Sequence, residues 1–393
     1  MVRWWPCVCL LGLLGSASAV ESDFKGQVDT ELRLFSHAGT SRQHSLYPSL
    51  ALQGEWYRAW GDDSLTFTPF YRWDARDGER THFDIRELSY VHVGEGWELE
   101  AGIGKVFWGV TEVAHLVDIV NQTDLVENID GEQKLGQPLL RLSFENDWGT
   151  VDLFAMTGFR EHTYPGAGGR LGAGLRVATE RARFVDGRDT WSPDFAVRWS
   201  HYVGDWDIGL SHFHGTAREP RLQPGLDGFG RPVLIPLYGR IDQTGLDLQA
   251  TRGDWLWKLE LIRRSGQGGR FIAADFGFEY TRVGVADTAA DLGWLVEVLY
   301  DDRGDAASTP FNHDLFLGLR WTANDEPGSE LLAGVVRDWH TGGGLLSVEA
   351  SRRLGNASKL AVQARAWFAT GSDPLLFPLR DEDYLEVRLS RYF

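Results

Sequence analysis

Apolar and polar residues alternate along most of this chain with a period of two, the period a β-strand imposes. In 63–74, Leu65, Phe67, Pro69, Tyr71 and Trp73 share one face, and Thr66, Thr68, Arg72 and Asp74 share the other. In 137–146, Leu140, Leu142 and Phe144 oppose Arg141, Ser143 and Glu145. In 358–369, Leu360, Val362, Ala364, Ala366 and Phe368 oppose Gln363, Arg365 and Trp367. The pattern predicts an all-β chain of about eighteen antiparallel strands. They are placed at 23–36, 46–60, 63–74, 81–93, 97–108, 137–146, 149–157, 193–203, 205–214, 240–252, 254–264, 270–282, 289–302, 312–322, 328–339, 343–354, 358–369 and 382–393. Short turns separate alternate strands, among them Gly61-Asp-Asp, Gly94-Glu-Gly, Gly204-Asp, Gly253-Asp and Gly284-Val-Ala-Asp. Gly, Asn and Asp tolerate the positive φ such turns need. With this strand count every short turn falls on one side and every long loop on the other. Two segments break the alternation. Between Phe83 and Val93 the order runs Ile-Arg-Glu-Leu-Ser-Tyr, and Lys105 shares parity with outward residues of its strand. A β-bulge is expected at each.

The texture is uniform from Asp23 to Phe393, with no linker or low-complexity tract, so one closed domain is expected over 20–393. No stretch after the leader approaches the length of a membrane helix. Trp60, Trp97, Trp148, Trp206 and Trp255 each lie beside a short turn. An indole favours the headgroup level of a bilayer, where its N–H stays hydrated, so these five read as an interfacial girdle.

The last strand reads Tyr384-Leu-Glu-Val-Arg-Leu-Ser-Arg-Tyr-Phe393, with Leu385, Val387, Leu389 and Phe393 on one face. A period-two strand ending on an aromatic residue resembles the final strand of Gram-negative outer-membrane β-barrels. That resemblance implies a single transmembrane barrel with short periplasmic turns and long extracellular loops. It also implies recognition by the barrel-insertion machinery through the strand that ends at Phe393. Arg391 departs from the family pattern, but near a membrane edge an Arg can snorkel. Residues 1–19 read as a secretory signal peptide: Arg3, an apolar run from Trp4 to Leu14, and the small-residue site Gly15-Ser-Ala-Ser-Ala19. Both cysteines, Cys7 and Cys9, fall inside it. No disulfide or thiolate metal site is then expected in the mature chain.

The chain carries 39 basic and 56 acidic residues, a net charge of −17. This balance argues against a nucleic-acid partner, since phosphate contacts need cations. The predicted inward faces hold Arg33, Arg72, Arg141, Arg198, Arg320, Arg365 and Arg388 as candidate lumen-lining bases, with Glu31, Glu260, Glu297, Glu349 and Glu386 among the acids. A barrel of this size cannot fill its interior with side chains, so these charges meet water.

The long loop 109–136 carries Glu112, Asp118, Asp124, Glu127, Asp130 and Glu132 against Lys134 alone. Val113, Leu116, Val117 and Val120 recur at helical spacing, which predicts a helix-like stripe. In porins the third outer loop commonly folds inward and narrows the pore. The resemblance therefore suggests an inward-folded constriction with these six acids at the opening. The loop at 158–192 has the opposite sign, with Arg160, Arg170, Arg176, Arg181, Arg183 and Arg188. Such donors suit a carboxylate or lipid phosphate, or simply a solvated loop. His212 and His214 share a strand face, but two ligands without a third do not define a metal site.

No G-x-S-x-G, H-E-x-x-H, P-loop or dinucleotide fingerprint is present, and no catalytic residue, metal or cofactor is expected. The reading is an outer-membrane channel for passive diffusion of small hydrophilic solutes or ions. One alternative is a polysaccharide- or organic-acid-specific channel for export or uptake, akin to specific porins or alginate-export barrels. Another is a barrel enzyme or a non-conducting surface scaffold. Expected partners are outer-membrane lipid and lipopolysaccharide, the insertion machinery and small solutes, with a homo-oligomer compatible.

Overall fold

A computed structural model describes residues 20–39 and 43–393. The proposed leader therefore lies outside the described residues. Eighteen strands form one antiparallel sheet among them. The first strand, Glu21–Phe35, pairs both with the second, Leu46–Trp60, and with the last, Tyr384–Tyr392, so the sheet closes into a barrel. Closure leaves no open edge, and every strand satisfies its backbone groups against two neighbours. The strand positions follow the alternation to within a few residues, for example Asp63–Asp74, Gln137–Asn146 and Ser358–Phe368.

The two faces of the sheet differ as the pleat requires. On His313–Thr322, Leu315, Leu317, Leu319 and Trp321 are exposed on the outside, while Asp314 and Phe316 are buried within. An outward apolar band of this kind, flanked by Trp97, Trp148, Trp206 and Trp255, matches a bilayer rather than water. At the seam, Phe393 exchanges two backbone hydrogen bonds with Gly26, at 2.8 and 3.0 Å. Its ring lies where a Cβ on Gly26 would sit, so only a glycine admits it there.

One expected bulge is present. On His82–Gly94, Glu87 pairs with Thr68 and Ile85 with Pro69, which leaves Arg86 as the extra residue. Pro69 lacks the N–H that a regular ladder would use, so the irregularity falls where it costs least. The second expected bulge is absent. The strand Trp97–Gly104 keeps an unbroken register and simply ends, so Lys105 belongs to the following loop rather than to a strand reaching 108.

Three further short strands, Arg183–Phe184, Arg221–Leu226 and Pro232–Tyr238, form a separate sheet in the outer loops. Sequence alternation did not reveal it, because Pro224, Pro232 and Pro236 interrupt the ladder pattern.

Candidate pore constriction

The loop 105–136 enters the barrel and is bonded to opposite walls. On one side, Glu260 of Trp255–Gly266 accepts the N–H groups of Val110, Thr111 and Val117 at 2.7, 3.1 and 3.1 Å. It also accepts the Thr111 hydroxyl at 2.8 Å. Glu297 of Asp291–Asp301 accepts the N–H groups of Glu112 and Val113 at 2.7 and 2.9 Å. These amides are spent on carboxylates, so they cannot close helical turns. That corrects the helix-like reading: among the described residues 109–136 hold no helix. Val117 and Val120 are instead buried against the wall with Trp108, Phe213, Ile241 and Ile262, while Val113 packs near Leu295 and Phe316.

On the other side the loop meets arginines. Arg72 donates Nε to both carboxylate oxygens of Glu127 at 2.9 Å, and Arg33 donates to the Glu127 carbonyl at 2.7 Å. Arg80 donates to the Val126 carbonyl at 3.1 Å and to Glu31 at 2.7 Å. Arg86, turned inward by the bulge, donates to Asp124 at 2.6 Å. Charge-assisted bonds of this kind hold geometry firmly when desolvated. Arg80 and Arg86 were not among the sequence candidates. Arg80 sits in a loop, and the bulge hides the parity of Arg86.

The six loop acids divide into two groups. Asp118, Asp124 and Glu127 are buried in ion pairs with Lys134, Arg86 and Arg72. Glu112, Asp130 and Glu132 line a cavity of about 980 Å³ between the loop and the wall formed by 313–388. Glu112 pairs with Arg320 at 2.6 Å, Asp130 with Arg365 at 3.1 Å, and Glu132 with His115 at 2.9 Å.

Local charge and burial compete at these groups. Burial pushes the Asp118 and Asp130 carboxyls up, against the pull of Lys134 and Arg365. At Glu127 the burial effect is outweighed by Arg72 and Arg80, and the carboxyl is held below its usual range. At His115 burial opposes protonation, but the hydrogen bond and charge of Glu132 prevail and raise its pKa.

The seven candidate arginines likewise separate. Arg320, Arg365 and Arg388 line the cavity. Arg33 and Arg72 face the loop and hold it. Arg141 bonds Glu98 at 2.5 Å, and Arg198 forms a two-pronged pair with Asp247 at 2.7 Å, both along the wall. In the outer loop at 158–192, Arg170 pairs with Glu382 and Arg160 with Asp84, so these donors are occupied by the protein itself. His212 and His214 bond Thr244 and Asp242. Among the described residues no group of three ligands has metal-binding geometry.

A closed eighteen-stranded barrel with an apolar outer band is a porin-like fold. Three of the solved structures that the chain resembles illustrate the likeness. A BenF-like porin from Pseudomonas fluorescens Pf-5 superposes with a TM-score of 0.56 at 11% identity, over 96% of this chain and 99% of that one. Pseudomonas aeruginosa OccK2 (OpdF), solved in complex with glucuronate, gives 0.53 at 13% identity, over 95% and 97%. Pseudomonas aeruginosa OccK11 (OpdR) gives 0.54 at 12% identity, over 95% of each chain. No family model and no curated relative matches the chain. The likeness lies in the fold, since about one residue in nine is shared with the first of these.

Proposed function

We propose that this barrel is a diffusion channel of the outer membrane for small hydrophilic solutes and ions, with its passage between loop 105–136 and the wall 313–388. The observation that carries this reading is the extent of the cavity. It is lined at one end by Leu171 and Leu376 of the outer loops, and at the other by Glu330 and Lys359, which lie beside periplasmic turns. Between them, charges on the loop face charges on the wall across the opening. Seven carboxylates line it against four Lys or Arg side chains, a local excess that favours cations. A low-dielectric wall focuses this field, and salt weakens it.

Planar-bilayer recording in a salt gradient tests the proposal. The parent is expected to conduct with a reversal potential on the cation side. Neutralising Glu112, Asp130 and Glu132 to Gln or Asn is expected to move that potential toward anions. A barrel that inserts without conducting, or a reversal potential indifferent to these changes, contradicts it.

A further inference from the structure

We propose that the outer half of this cavity binds small organic cations that carry an apolar ring, with Asp314 as the counter-ion. The assignment deepens the channel reading and rests on the same cavity.

Strand register lays out the wall rung by rung. Phe316 stands opposite Val336, Val336 opposite Leu345, and Leu345 opposite Trp367. These four side chains form one apolar row across four strands, and all four line the cavity. Toward the periplasm the wall turns ionic, with Arg365 and then Arg320 and Glu349. Toward the outside, the next inward rung is Asp314 opposite Asp338.

Asp314 is 3% exposed yet lines the cavity. Its Oδ2 accepts the N–H groups of Asn312 and His313 at 2.8 and 3.1 Å. No described residue bonds its Oδ1. No described Lys, Arg or His forms an ion pair with Asp314, with Asp338, or with Asp373 of the neighbouring outer loop. Every other cavity-lining carboxylate has a basic partner. A buried carboxylate without a counter-charge is unfavourable. Asp338 and Asp373 add negative potential beside it.

A cationic headgroup at Oδ1 compensates this charge. An apolar ring attached to it then reaches the Phe316–Val336–Leu345–Trp367 row one rung below, where Trp367 and Phe316 supply aromatic rings. A bare divalent ion fits less well, because these residues lack metal-binding geometry and a bare ion leaves the row unused. The chemistry selected is an ammonium or guanidinium on a compact apolar body.

The test is equilibrium binding of 2-phenylethylammonium to the folded barrel in lipid nanodiscs, measured by calorimetry, with ethylammonium and 3-phenylpropionate as comparators. The ring-bearing amine is expected to bind at least tenfold more tightly than either comparator. Asp314→Asn keeps an oxygen for the two backbone donors and is expected to weaken amine binding about tenfold. Asp254→Asn, on an exposed periplasmic turn, is expected to bind like the parent. Should Asp314→Asn fail to show heat-modifiable gel mobility, Val336→Thr replaces it. That change makes the row polar at constant shape, and is expected to weaken 2-phenylethylammonium but not ethylammonium. Equal affinity for amine and carboxylate overturns the proposal, as does parental affinity in the folded variant. Binding needs no ion flow. A barrel that binds the amine without conducting therefore contradicts the channel alone, and a conducting barrel without the preference contradicts this site alone.

Discussion

At the scale of single residues, the pleat decides what a substitution costs. Val362 lies on the outer face between Ala350 and Val387 of the neighbouring strands, and Gln363 beside it points inward to Glu349. Val362→Arg places a charge in hydrocarbon and is expected to destabilise the barrel by about 2–4 kcal/mol if near the midplane. Gln363→Arg is expected to cost much less in the same denaturant-unfolding assay. Equal penalties would contradict the face assignment. His115 offers a second check. Its pKa is raised in the folded loop, so its pairing with Glu132 contributes stability below the unfolded value, about 6.5, and loses it as pH rises through the raised value. The His115 ring is expected to titrate above 6.5 by NMR, and Glu132→Gln is expected to lower its midpoint. An unchanged midpoint would show that the pair does not set the shift.

At the scale of elements, the strands were legible because each obeys a local period that one face in water and one in lipid both enforce. The bulge at Arg86 was legible for the same reason, as a break in that period. The loop was not, beyond its charge. Its stripe of Val113, Leu116, Val117 and Val120 has helical spacing, but Glu260 and Glu297 lie some 140 to 190 residues away in sequence and claim the amides a helix would need. Nor does sequence separate the buried acids of the loop from those at the opening, since the difference lies in which wall arginine each one meets. The separation predicts two phenotypes. Asp124→Asn and Glu127→Gln break buried pairs with Arg86 and Arg72, each worth about 3–5 kcal/mol when one partner is lost. They are expected to loosen the loop, raising single-channel conductance and current noise. The Glu112, Asp130 and Glu132 variants are expected to change selectivity with little change in noise. A selectivity shift from the first pair without added noise would contradict the division.

At the scale of the whole molecule, the proposed channel makes the two sides of the loop unequal. Glu260 and the packed Val117 and Val120 tie one side to the wall, while a cavity lies between the other side and the wall 313–388. With both cysteines at positions 7 and 9, residues 20–393 hold no thiol, so single cysteines can report each side separately. Ser347 lines the open cavity, while Ser211 is 5% exposed on an inward face next to Val117, behind the loop. The most direct measurement is single-channel current through Ser347→Cys and Ser211→Cys before and after a charged methanethiosulfonate reagent. The account predicts a stepwise drop in current for Ser347→Cys and none for Ser211→Cys. Modification of Ser211→Cys with an equal drop, or an open channel that the reagent leaves unchanged at Ser347→Cys, would contradict it.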